Sequence, residues 1–121
     1  MSYDRINSYA KINLALNIVG KTSSLHKIES IVAFVSLYDQ IFIKRIKSDH
    51  HHISFIGKFS QNIGRNNTIS KLLEILENKN LLKNTKFAIK IKKNIPNKAG
   101  LGGGSMNAAT ILKYFIKKKN Y

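Results

Sequence analysis

The chain contains no cysteine, a single proline and only six acidic residues among its 121 positions. Without cysteine there is no disulfide framework and no thiolate metal site. That removes small secreted disulfide domains and zinc fingers together and makes the cytoplasm the expected location. Long apolar runs are missing as well. The first apolar stretch is interrupted by Lys11, Asn13 and Asn17, so neither a signal-peptide core nor the roughly 18 apolar residues of a membrane span is found, and no membrane association is expected. At 43% hydrophobic residues the composition suits a folded chain, and one of this length buries roughly two thirds of the surface its unfolded form exposes. A single domain over residues 1–121 is the expectation.

The scarcity of acid leaves 21 Lys and Arg against six Asp and Glu, a formal charge of +15 and a pI near 10.2. Such a balance points to an anionic partner: nucleic acid, lipid headgroups or nucleotide phosphates. Lys, Asn and Ile are abundant throughout, however, and that joint excess fits compositional drift equally well. The six carboxylates are Asp4, Glu29, Asp39, Asp49, Glu74 and Glu77, so none follows position 77.

What is present has clear periodicity. Residues 9–19 alternate, with Ala10, Ile12, Leu14, Leu16 and Ile18 on one face and Tyr9, Lys11, Asn13 and Asn17 on the other, which predicts a half-buried strand. After a turn over residues 20–25, residues 29–37 read as a nearly continuous apolar strand, residues 40–46 as a third strand, and Ile53 and Phe55 as a short fourth. A polar loop covers residues 57–67. Ile69, Leu72, Leu73 and Leu76 have helical spacing, and Asn67 or Thr68 supplies the N-cap of a helix over residues 68–78. Phe87, Ile89 and Ile91 alternate with Lys86, Ala88, Lys90 and Lys92 in a fifth strand. The last segment, residues 105–119, is an amphipathic helix with Ala108, Ile111, Leu112, Phe115 and Ile116 apolar. The expected class is α+β, a mixed sheet covered by two helices.

The most informative segment joins the fifth strand to the last helix: Ile95-Pro96-Asn97-Lys98-Ala99-Gly100-Leu101-Gly102-Gly103-Gly104-Ser105-Met106-Asn107-Ala108-Ala109. Glycine lets the backbone approach a ligand closely, and the free N–H groups that open a helix favour an anion, so the segment suits a phosphate. The dinucleotide fingerprint fits poorly, because it needs an acidic residue about twenty positions later. The lysine and Ser/Thr pair that closes a Walker loop is also missing. The segment instead resembles the phosphate loop of the GHMP kinase superfamily, in the form carried by kinases acting on a cytidine-diphosphate-linked methylerythritol. Ser8-Tyr9-Ala10-Lys11-Ile12-Asn13-Leu14 resembles that family's opening strand. His26, with Glu29-Ser30 and Phe34, and Asn67 also fall where the family pattern has its counterparts.

The resemblance implies the N-terminal, ATP-binding domain of a GHMP kinase, with a ribosomal-protein-like fold, using ATP and Mg²⁺. The reaction it implies is phosphorylation of the 2-hydroxyl of the cytidine-diphosphate-linked methylerythritol, in non-mevalonate isoprenoid synthesis. By the same resemblance Lys11 is the catalytic lysine, Asn13 and His26 contact substrate, and Asn67, Pro96, Lys98, Ala99, Gly100, Leu101, Gly102, Gly103, Gly104 and Ser105 bind ATP. Lys11 and Asn13, two apart on a strand, share a face, as cooperation at one reacting centre requires. The chain departs from the pattern in three ways. Leu25 stands where an aromatic ring is expected to stack on cytosine, Met106 replaces a second serine, and the catalytic aspartate that family members carry beyond the glycine loop has no counterpart. Family members are more than twice this long, so the C-terminal domain is expected to be absent and the chain inactive alone.

A second reading, from a different class, is a basic nucleic-acid-binding module with a ribosomal-protein-like fold. Tyr3, Tyr9, Tyr38, Tyr114 and Tyr121 would supply stacking rings, and the lysines of residues 86–93 and 117–119 phosphate contacts. Nothing in that reading requires the glycine segment, so nucleic acid is not the expected partner. His50-His51-His52 alternate faces on an extended chain and do not converge on one ion, so no metal site is expected.

Overall fold

The computed structural model describes residues 2–10, 36–61, 63, 67–96 and 103–119. Within them the chain forms β1 (Asp4–Tyr9), β2 (Tyr38–Ile46), β3 (His52–Ile56), α1 (Thr68–Asn78), β4 (Lys86–Lys92) and α2 (Gly103–Lys119). The strands lie in the order β1-β2-β4-β3. β1 and β4 both run antiparallel to β2, and β3 runs parallel to β4. Parallel neighbours require a crossover, and α1 provides it. This is the mixed sheet with two helices that the sequence predicts. No helix among the described residues is long and apolar enough to cross a membrane.

The two-residue period of the strands decides which side chains reach the core. In β2 it turns Asp39, Ile41 and Ile43 inward, all fully buried. In β4 it does the same for Phe87, Ile89 and Ile91, and the register sets Ile41 against Ile91 and Ile43 against Ile89. The helices supply the facing layer: Ile69, Leu73 and Leu76 from α1, and Ile111 and Phe115 from α2. Each such side chain contributes about 1.5–3 kcal/mol on burial, which makes this layer the main source of stability.

The helix ends follow from local chemistry. Asn67 caps α1, its Oδ1 accepting from the backbone N–H of Ser70 at 2.9 Å. At the other end Asn80 takes a left-handed conformation (φ 54°) and the N–H of Leu81 donates to the Leu76 carbonyl at 2.9 Å, a turn that asparagine tolerates better than most residues. In α2 the exposed Lys117 and Lys118 lie near the negative end of the helix dipole.

Three boundaries differ from expectation. β1 has no counterpart in the sequence reading, because only Ile6 on its inward face is a strong strand former. The strand predicted over residues 9–19 overlaps it at Tyr9 alone; Ala10 follows β1 outside any strand, and residues 11–19, the turn at 20–25 and most of the strand at 29–37 lie outside the described residues. β2 begins two residues early, at Tyr38, and α2 begins at Gly103 rather than Ser105. Two of the glycines therefore belong to the first helical turn instead of the preceding loop.

Candidate functional site

A buried carboxylate sits where β2 and β4 approach α2. Asp39 has no exposed surface, yet each oxygen has two donors. Oδ1 accepts from the backbone N–H groups of Asn94 (2.6 Å) and Ile95 (2.8 Å). Oδ2 accepts from Lys93 Nζ (2.5 Å) and Asn107 Nδ2 (3.0 Å). Asn94 Nδ2 donates further to the Tyr38 carbonyl. Removing one partner of such a buried charged pair costs about 3–5 kcal/mol, so the cluster acts as a unit. Asn107 is 1% exposed, and its Oδ1 has no partner among the described residues.

Lys93 is fixed from a second side. The turn after β3 folds back on it: the Lys93 N–H donates to the Ile56 carbonyl (2.7 Å) and the Phe59 N–H to the Lys93 carbonyl (3.4 Å). Gly57 makes this approach possible. Its φ is +98°, and a Cβ there would stand 2.8 Å from the Lys93 carbonyl oxygen and 3.0 Å from its nitrogen. The turn closes with Ser60 Oγ donating to the Gly57 carbonyl at 2.8 Å.

Beside this turn lies a cleft of about 440 Å³ whose walls include Phe55, Ile63, Ser54, Ser60, Asn67 and Ser70. Asn67 brings the N-terminus of α1 to its rim. The N-terminus of α2 adjoins: a Cβ on Gly104 would meet Thr68 Oγ1 at 3.7 Å, an ordinary contact. The two helix N-termini thus sit together beside Asn67 in the cleft wall, and each presents the positive end of a helix dipole. A second cavity of about 440 Å³, under the far end of α2 between Asp4, Arg45, Tyr114 and Lys118, shares no residue with the first.

Of the predicted ATP-binding residues, Asn67, Gly103, Gly104 and Ser105 lie at these two helix starts. Pro96 follows directly on the Asp39-bound Ile95. Lys11, Asn13, His26, Lys98, Ala99, Gly100, Leu101 and Gly102 lie outside the described residues. Asp39, Lys93 and Gly57 were not singled out by the sequence reading. The available signal was parity: a carboxylate in step with Ile41 and Ile43, and a lysine in step with Phe87, Ile89 and Ile91, must both face inward and so must meet a partner.

His51 forms another wall of the cleft. Its Nδ1 accepts from the Phe87 N–H at 3.0 Å, which places the ring proton on Nε2. Glu77 Oε1 approaches Nε2 to 2.7 Å without the alignment of a hydrogen bond, and Lys86 Nζ donates to the same oxygen. Burial lowers the His51 pKa; the Glu77 charge opposes that shift and the Lys86 charge adds to it. The Lys86 hydrogen bond lowers the Glu77 pKa. The three adjacent histidines diverge as expected: His51 turns inward, while His52 Nε2 pairs with Ser48 Oγ at 3.1 Å. Among the described residues no group of His, Asp or Glu is arranged to hold a metal ion.

The basic and aromatic groups of the nucleic-acid reading are largely engaged elsewhere. Lys93 is bound to Asp39 and Lys86 to Glu77. Tyr114 donates to Asp4, which lowers the Asp4 pKa, while burial and the same bond raise that of the phenol. Tyr9 packs on Tyr38, and Tyr3 on Phe42 beneath the ammonium groups of Lys44 and Lys90. Tyr121 lies outside the described residues.

Comparison with known proteins agrees with this geometry. Residues 67–119, which contain both helix N-termini, match the GHMP kinases N terminal domain. The chain is 60% identical over 119 residues to a protein of Pelagibacter ubique named 4-diphosphocytidyl-2-C-methyl-D-erythritol kinase, covering 98% of this chain and 42% of that one. It is 41% identical over 121 residues to a protein of the same name from Anaplasma marginale, covering 97% and 40% respectively. The chain therefore spans about two fifths of the length of these relatives. A solved homoserine kinase from Cytophaga hutchinsonii shares the fold, with a TM-score of 0.50 at 21% identity over 65% of this chain and 27% of that one. Residues 67–119 thus match the N-terminal domain of the GHMP kinases, and the chain as a whole is similar to about two fifths of the kinases named above.

Proposed function

We propose that this chain is the nucleotide-binding, N-terminal part of an ATP-dependent kinase that phosphorylates the 2-hydroxyl of 4-diphosphocytidyl-2-C-methyl-D-erythritol, a cytoplasmic step of non-mevalonate isoprenoid synthesis. The observation that carries this reading is the meeting of the α1 and α2 N-termini at Thr68 and Gly104, next to Asn67 in the cleft wall. Phosphates are held at the helix starts by backbone N–H groups from Gly103 to Ser105, with Pro96 to Gly102 completing the loop. The apolar walls at Phe55 and Ile63 suit a nucleobase, and the amide and hydroxyls of Asn67, Ser54 and Ser70 its polar edge. Lys11 neutralises charge on the transferred phosphoryl group, and Asn13 and His26 hold the acceptor. Among the described residues no carboxylate cluster is arranged to hold Mg²⁺.

Turnover is expected to need more than this stretch of sequence supplies. An acceptor hydroxyl must lose its proton to a positioned base. Asp39 is buried with both oxygens bonded to donors, and Glu77 is held by Lys86. Neither serves, and the family resemblance implies a catalytic carboxylate beyond the glycine segment, where this sequence has none, so the chain alone is expected to bind nucleotide without useful turnover. The reading is tested by titrating the chain with Mg-ATP and following amide signals by NMR. Asn67, Ser70, Gly104 and Ser105 should shift together, and unmoved signals at both helix starts would refute it.

A further inference from the structure

We propose that Asp39 is a positioning residue for the phosphate-binding segment, holding both of its flanks with one carboxylate. The inference rests on the nucleotide reading above and assigns to it a residue that touches no nucleotide. The four donors to Asp39 come from the two sides of the segment. Lys93, Asn94 and Ile95 precede it, and Asn107 follows it. Between them lie the eleven residues from Pro96 to Met106.

The chemistry explains why the group is a carboxylate. Two consecutive backbone N–H groups, of Asn94 and Ile95, converge on one oxygen. That geometry bends the chain as it leaves β4 and sets the direction in which Pro96 departs. The other oxygen is shared by an ammonium and a side-chain amide, and so joins the end of β4 to the second turn of α2. Only an acceptor with two oxygens and no proton meets four donors. An asparagine there would turn its NH₂ against either two backbone N–H groups or the Lys93 and Asn107 donors. With both flanks tied to one buried group, the span between them is set before ligand arrives. The ordering entropy is then spent in folding rather than in binding.

The test compares four chains: wild type, Asp39→Asn, the exchange Asp39→Asn with Asn107→Asp, and Leu82→Ala, a core truncation at the end of the fold away from the cleft. Two quantities are read in each. One is Mg-ATP affinity by NMR titration. The other is hydrogen exchange of the Gly104, Ser105 and Met106 amides without nucleotide, none of which bonds to Asp39. Asp39→Asn should weaken affinity and speed exchange by about tenfold or more, because preorganisation is lost at both flanks. The exchange variant, which restores a carboxylate to the cluster, should recover both to within about threefold, whereas Leu82→Ala should lower stability and leave both within about threefold. The proposal falls if Asp39→Asn changes neither quantity, or if Leu82→Ala changes both as much. Should Asp39→Asn fail to fold, Asp39→Asn with Lys93→Met leaves no unpaired buried ammonium and is judged by the same thresholds. If wild type shows no response to Mg-ATP, the nucleotide reading fails, and the exchange rates alone decide whether Asp39 positions the segment.

Discussion

Replacing Gly57 with alanine should destabilise the fold far more than the same change at Gly104. At Gly57 the backbone stands at φ +98°, which a residue with a Cβ occupies at a penalty of about 1–2 kcal/mol. The new methyl would stand 2.8 Å and 3.0 Å from backbone atoms of Lys93, which cannot rotate away as a side chain would. The turn must retreat, loosening the bonds from Lys93 to Ile56 and from Phe59 to Lys93, each worth about 1 kcal/mol net. Against this, alanine restricts the unfolded chain and returns about 0.4–1 kcal/mol. The balance is a loss of about 2–3 kcal/mol, or roughly 8–12 °C in the unfolding midpoint for a domain of this size. At Gly104 the methyl makes an ordinary 3.7 Å contact within a helix, so alanine should be neutral or stabilising by up to about 1 kcal/mol. Thermal unfolding followed by far-UV circular dichroism at neutral pH compares the two. A Gly57→Ala midpoint within about 2 °C of wild type would refute the close-approach argument.

Two further outcomes follow from the cleft walls. Burial depresses the His51 pKa in the folded chain, so between its folded value and the ordinary value of about 6.5 the unfolded chain binds more protons and stability falls as pH falls through that window. His51→Asn, which keeps an acceptor for the Phe87 N–H, should flatten the dependence of the urea midpoint on pH between about 7 and 5; an unchanged slope would show that His51 is not its source. Asn67→Ala removes the acceptor for the Ser70 N–H and hydroxyl and should cost about 1 kcal/mol in urea unfolding, with faster exchange at the Ser70 amide. No loss in either measurement would refute the capping role.

How much of this was legible in the sequence varies with how locally each feature is encoded. α1 is written in its own residues, with Asn67 to start it and Ile69, Leu73 and Leu76 to bury it, and its limits match the prediction. β4 is equally local, since lysines and apolar residues alternate without a break. β1 is not, because Asp4, Arg5, Asn7 and Ser8 are poor strand formers that take strand geometry by pairing with β2. The glycine segment was readable as a motif, and the structure adds what no motif contains: the second helix N-terminus beside it. Lys93 read as one more cation on a basic strand, yet its parity buries it against a carboxylate 54 positions away. Partners at that separation come from topology and leave no trace in local periodicity.

The contacts between β1 and α2 join opposite ends of the sequence. Thr110 donates to Ser8 across 102 positions and Tyr114 to Asp4 across 110. Contacts of such separation form late and slow folding, because a long loop must close before they yield any return. On the ribosome, where residues emerge at about 5–20 per second, β2 and β4 are exposed well before α2 arrives to cover Ile41, Ile43 and Ile89. During that interval the nascent chain presents an apolar sheet covered by α1 alone, whose Asp39 lacks Asn107, so safe maturation depends on how quickly α2 is delivered.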